Sequence, residues 1–142
     1  MSTLRTSILH HQADTDPGAE KVVPHFDWLV EIRHTRPENR DVPTWRVPVS
    51  VETLLPGEHS SLERIHAHRG QWLEQRSVIR LDEGRGIVSP HSQGTVKSLH
   101  QKPQQWVIEI QWNTGQSCRY RIDRPEEENG MVERLSDPRV NA

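Results

Sequence analysis

The segment from Trp106 to Asp123 limits the fold more than any other part of the chain. Trp106, Ile108, Ile110 and Trp112 alternate with Val107, Glu109 and Gln111. After Asn113-Thr114-Gly115-Gln116 the alternation resumes. Cys118, Tyr120 and Ile122 share one face, and Ser117, Arg119, Arg121 and Asp123 share the other. A period of two on both sides of a glycine-containing turn specifies a β-hairpin with one buried face. Trp106, Ile108, Ile110, Trp112, Tyr120 and Ile122 are the expected core of that unit.

A length of 142 residues suggests one domain or a small domain with an extension. Only 32% of the residues are hydrophobic, but five are tryptophan. Each large aromatic can bury about 150–250 Å². The expectation is a small core, giving a marginal monomer or one that a partner supports. Residues 1–21 are polar without periodicity and predict a flexible arm. Phe26 to Arg33 predicts a strand whose polar face is broken by Leu29. Residues 37–43 have the composition of a loop. Trp45 to Leu55 predicts a second strand, antiparallel to the first, with Trp45, Val47, Val49 and Val51 on one face. Pro48 removes a ladder donor, which suggests an edge or a bulge.

Ser60-x-x-Glu63 has the form of a capping box. Leu62, Ile65, His66, Arg69, Trp72 and Leu73 follow at spacings of three and four. Together they predict a short helix over 61–75, which Gly70 weakens by about 1 kcal/mol relative to alanine. Short strands are expected at 76–81, 87–88, 94–99 and 131–135, with the hairpin between the last two. The expected units are an arm (1–21), a β-hairpin plus helix (22–75), a small barrel (76–135) and a tail (136–142).

The Gly94-Thr95-Val96 strand, the strand ending Gln111-Trp112-Asn113-x-Gly115, the Tyr120-Arg121 strand and a short terminal strand resemble the SH3-like barrels. The KOW, Tudor and Mib/Herc2-type modules share this style. The resemblance covers residues 76–135. It implies a mainly β fold, a five-stranded SH3-like barrel preceded by the hairpin and helix, and a habit of binding rather than a particular ligand.

Charge is distributed unevenly. Residues 1–75 carry a net −3, residues 76–124 a net +4 and residues 125–142 a net −3. Within the basic part, Arg119, Arg121, Arg124, Lys97 and Lys102 form a candidate face for an anionic ligand. Trp45, Val47 and Val49, on the expected edge strand, are candidate protein contacts, because edges invite pairing with another chain.

Candidates for catalysis are weak. His66 and His68, two apart on a helix, would point to nearly opposite sides and could not share an ion. His10 and His11 fall in the polar arm, where solvated side chains are expected. Cys118, the only cysteine, lies on an inward strand face and reads as a buried, inert thiol. There is no Gly-x-Ser-x-Gly, no Gly-x-Gly-x-x-Gly and no P-loop. Gly84-Arg85-Gly86 is too short to cradle a phosphate. No catalytic residue, metal or cofactor is expected. No apolar run approaches a membrane span, and one cysteine suits a reducing, cytoplasmic setting. The expected function is non-catalytic: an accessory or adaptor subunit that binds a protein partner within a larger cytoplasmic assembly. The alternative is a nucleic-acid-binding subunit that uses the basic face.

Overall fold

The computed structural model describes residues 3–13 and 23–136. Nine strands are present among them: β1 (Leu4–Gln12), β2 (His25–Val30), β3 (Arg40–Val47), β4 (His59–Arg69), β5 (Ile79–Arg80), β6 (Ile87–Lys102), β7 (Gln105–Trp112), β8 (Ser117–Asp123) and β9 (Gly130–Leu135). Every pairing is antiparallel. The order β1-β2-β3-β4-β9-β8-β7-β6 returns to β1, giving a closed barrel of eight strands, with β5 added beside the start of β6.

The hairpin that dominates the sequence is β7–β8. Ile108 pairs with Tyr120 and Ile110 with Cys118, and Gly115 takes a φ of 97° in the turn. All six expected core residues are buried in the lumen, as is the Cys118 thiol. Closure depends on β6, whose 16 residues pair with both β1 and β7 as well as with short β5. Leu4–Gln12 pair along Ile87–Val96, and Gln105–Trp112 pair along Gly94–Lys102. Gly94 takes part in both ladders, opposite Thr6 and Trp112. A Cβ there would lie 2.7 Å from the Gln111 carbonyl oxygen, so only glycine lets the strands approach this closely.

The lumen is filled by Trp28, Trp45, Trp106, Trp112 and Tyr120 among aliphatic side chains. The polar tips of Trp28, Trp45, Trp112 and Tyr120 each have a partner. The indole N–H of Trp28 donates to the Thr6 hydroxyl at 3.0 Å, and that of Trp45 to the Pro125 carbonyl at 2.8 Å. Trp112 donates to the Tyr120 hydroxyl at 3.1 Å, which donates to the Val51 carbonyl at 3.1 Å. Burial pushes the Tyr120 phenol far above its ordinary range. A second apolar cluster of Leu9, Leu29, Val42, Leu73 and Val88 lies on the outer face, with Trp72 and Leu81 against it. Leu29, which breaks the polar face of its strand, belongs to this outer cluster.

Several expectations need correction. The barrel has eight strands rather than five, and it begins at β1. The segment expected as a flexible arm supplies that strand at Leu4–Gln12, while 14–22 lie outside the described residues. The helix expected over 61–75 is strand β4 followed by a 3-10 turn at Gly70–Glu74. Leu62 faces the lumen and Leu73 the outer cluster, so apolar residues spaced like one helix face serve two separate cores. The strand expected to be an edge is β3, which pairs with both β2 and β4. Pro48 lies just beyond its end, and Pro43, which cannot donate, sits where the β3–β4 register shifts.

One polar group is embedded at the start of this framework. The Glu31 carboxylate, 1% exposed, accepts from the Arg5 backbone N–H at 2.9 Å and from the Arg5 guanidinium at 3.2 and 3.0 Å. The Thr35 backbone N–H adds a fourth bond at 3.0 Å. Removing the guanidinium would leave the buried carboxylate without its cation. Arg5→Ala is expected to destabilise by about 3–5 kcal/mol, and Ile110→Ala by about 2–5 kcal/mol. Urea denaturation of each variant against the parent measures both. An unchanged midpoint for Ile110→Ala would remove that residue from the core.

Candidate functional site

Because the lumen is filled, the surfaces able to receive a ligand lie outside. One is a groove of about 1150 Å³, bordered by Val23, Pro24, Pro48, Ser61, Arg124 and Met131. A smaller hollow of about 360 Å³ lies beside it, over His66, His68 and Trp72. His11, Arg46, Leu81 and Arg85 line both. Three ionisable side chains meet where the two join: His11, His25 and Asp27.

Strand register produces this meeting. His11 of β1 is the cross-strand partner of His25 on β2. Asp27 lies two residues further along β2, so it shares His25's face. The two imidazole rings meet edge to face at 4.8 Å between centroids. His25 and Asp27 are nine-tenths buried, with side chains 9% and 8% exposed. His25 Nε2 lies 3.3 Å from Asp27 Oδ1. The contact is close but poorly aligned, and neither atom has a hydrogen-bond partner. Arg46, opposite Asp27 on β3, is drawn toward Glu63 at 3.7 Å.

Carbonyl groups orient both rings. His25 Nδ1 lies 2.8 Å from the Val23 carbonyl oxygen, and His11 Nε2 lies 2.8 Å from that of Arg85. A carbonyl only accepts, so these nitrogens carry hydrogen. The opposite nitrogen of each neutral ring is then left with its lone pair. Gly86 lets the Arg85 carbonyl reach His11. It has a φ of +112°, and a Cβ would lie 2.5 Å from the Gln12 carbonyl oxygen and 2.8 Å from His11 Nε2. The Gly84-Arg85-Gly86 turn therefore buttresses a histidine.

The histidine pairs noted in the sequence occupy different settings from those expected. His10 and His11 are on β1 and point to opposite faces. His10 stacks on Phe26 at 4.6 Å with His91 close by, and burial, more than the neighbouring histidines, lowers its pKa. His66 and His68 lie on an extended strand, and their rings stack at 5.3 Å. Burial of His68 lowers its pKa despite the Asp27 charge.

The five cations of the candidate anionic-ligand face fall on β6, β8 and the following turn, interleaved with acids. Arg119 is opposite Glu109. Arg121 contacts Asp123 at 3.2 Å and Glu133 at 3.1 Å. Arg124 lies 3.8 Å from Glu127 and donates to the Asn129 carbonyl. Lys97 and Lys102 are exposed. Of the candidate protein contacts, Trp45 and Val47 are fully buried, because β3 is an inner strand whose alternate residues fill the lumen. Val49 alone is exposed, at 40%.

His25 and Asp27 were missed as a pair, although His25-Phe26-Asp27 carried the signal: two polar residues flanking an aromatic at strand spacing. Compared with known proteins, the chain matches no family model and no curated protein sequence.

Burial pulls the His25 pKa down, but the Asp27 carboxylate and the Val23 carbonyl outweigh it, so the pKa is raised above 6.5. A raised folded-state pKa contributes stability that is present below the unfolded value and lost as pH rises through the folded one. In chelator-treated protein, the stability difference between wild type and Asp27→Asn should be larger below pH 6.5 and shrink above it. Urea midpoints across pH measure this. Parallel profiles would show that the pair is not coupled.

Proposed function

We propose that this chain is a non-catalytic accessory or adaptor subunit of a larger cytoplasmic assembly, and that it holds a segment of a protein partner in the outer groove. The observation that carries this reading is the groove itself, large and open on the outside of a barrel whose inside is packed. A volume of about 1150 Å³ has room for several side chains of an extended peptide. Val23, 81% exposed, with Pro24 and Pro48, gives the rim apolar anchors that spend little conformational entropy. Arg46, Arg124, Glu63 and Glu128 all line it, a mix of charges suited to a peptide more than to a polyanion.

The pairing of Arg121 and Arg124 with acids argues in the same direction, because a cation held by a carboxylate has less to offer a phosphate. Among the described residues no helix is long and apolar enough to cross a membrane.

A groove-filling substitution tests the reading. Ser61 is exposed on β4 and lines the groove. Ser61→Trp should abolish co-purification of the partner, whereas Arg119→Ala with Arg121→Ala should leave it intact. Wild-type protein at micromolar concentration and about 0.15 M ionic strength should not change the anisotropy of labelled RNA or DNA. Non-specific nucleic-acid binding falls at about 10⁻⁴–10⁻⁶ M, so tight, salt-sensitive binding lost in the double arginine variant would replace the protein reading with the nucleic-acid one.

A further inference from the structure

We propose that His11, His25 and Asp27 form a binding site for a divalent first-row transition metal ion, zinc foremost, set in the wall between the groove and the hollow. One ligand atom from each residue lies within 4.8 Å of the others. Two ligands of one tetrahedral zinc, with bonds of about 2.0–2.2 Å, stand roughly 3.3 Å apart. His25 Nε2 and Asp27 Oδ1 already stand 3.3 Å apart. His11 supplies the third ligand atom, within 4.8 Å of the other two.

Two observations favour a metal over a plain ion pair, and a third selects the kind of metal. Both facing atoms are nine-tenths buried and lack a hydrogen-bond partner, a cost that an ion between them would remove. The hydrogen on His25 Nδ1 is committed to the Val23 carbonyl and that on His11 Nε2 to the Arg85 carbonyl. This is the outer-shell arrangement that fixes the tautomer of a ligating imidazole and strengthens it as a donor. Two imidazoles with one carboxylate suit zinc and its neighbours, not calcium or magnesium, which prefer oxygen ligands. On binding, the metal takes the place of any proton between Nε2 and Oδ1, and that proton leaves to solvent.

His25 opens to the groove, Asp27 to the hollow and His11 to both. Three protein ligands leave a fourth position facing these openings, where water or a side chain of a bound partner can complete the shell. Arg46 is the opposing cation, and its contact with Glu63 at 3.7 Å draws it away. The site stands whether or not the groove holds a protein.

The test uses the full chain, stripped with chelator and titrated with zinc chloride. Calorimetry should give one equivalent. Long-range ¹H–¹⁵N spectra of the histidine rings should show His25 and His11 shifting until one equivalent is reached, with His66 and His68 unmoved. Asp27→Asn and His25→Ala should weaken binding by more than the roughly 10–100-fold typical of losing an outer-shell partner. His66→Ala with His68→Ala should leave it unchanged. The ring spectra of the wild-type protein decide the matter even if a variant fails to fold. Responses confined to His10, His66 or His68, no response by one equivalent, or unchanged affinity in His25→Ala would each overturn the proposal.

Discussion

Aromatic packing inside the barrel is the interaction on which the rest of the structure depends. Trp28 and Trp45 come from neighbouring strands of the N-terminal half, and Trp106 and Tyr120 from the hairpin of the C-terminal half. Their rings meet in a chain, with Trp28–Trp45, Trp28–Tyr120 and Trp45–Trp106 centroids each 5.6 Å apart. Such tilted and edge-on pairs add about 0.5–1.5 kcal/mol each beyond the area they bury. Neither half could bury these rings alone. Eight strands enclose a space that side chains can just fill, which is why a chain poor in hydrophobic residues can close a barrel.

Filling the lumen has a functional consequence. Barrels of this size that carry small ligands do so inside, and this one has spent its interior on tryptophan. The groove and the hollow therefore lie on the wall. Leu9, Leu29, Val42, Leu73 and Val88 form an apolar plate there, and the chain between Gly70 and Val88 is pinned over it. Pinning that segment brings the Arg85 carbonyl against His11 and gives the hollow its floor at Trp72. The Arg5 contacts to Glu31 and Glu74 tie β1 and the end of the Gly70–Glu74 turn together on the same side. Packing on the outer face and the geometry of the His11, His25 and Asp27 cluster are thus one problem with one solution.

Much of the fold was legible where alternation was strict. The β7–β8 hairpin and its inward residues follow from period two, and so does the antiparallel pairing of β2 with Thr44–Val47 of β3. The strand expected to run on to Leu55, however, stops at Val47 and gives way to a 3-10 turn at Val51–Thr53. The closure does not follow from period two, because β1 carries the pattern Thr-Ser-Ile-Leu-His-His, in which Ile8 serves the lumen and Leu9 the outer cluster. A strand that faces two cores shows no alternation and passes for a polar arm. The same ambiguity gave Leu62 and Leu73 the spacing of a helix, and it hid the common face of His66 and His68. The His11, His25 and Asp27 cluster was hidden for a different reason. Its members join through cross-strand register, which a single sequence does not display, although the His25-x-Asp27 spacing marked half of it. Trp45 and Val47 misled as surface anchors because the pairing of β3 on its second side depends on β4 being a strand.

β1 closes an eight-stranded ring around an aromatic core, which leaves the groove and the hollow on the outer wall. Nuclear Overhauser spectroscopy of the uniformly labelled chain tests this most directly. Interstrand contacts are expected between β1 and β6 near the Thr6–Gly94 and Leu4–Val96 pairs, together with contacts between the Trp28 indole and the Tyr120 ring. Random-coil shifts over residues 4–12, with β6 in contact with β7 alone, would contradict it and restore a smaller barrel preceded by a free arm.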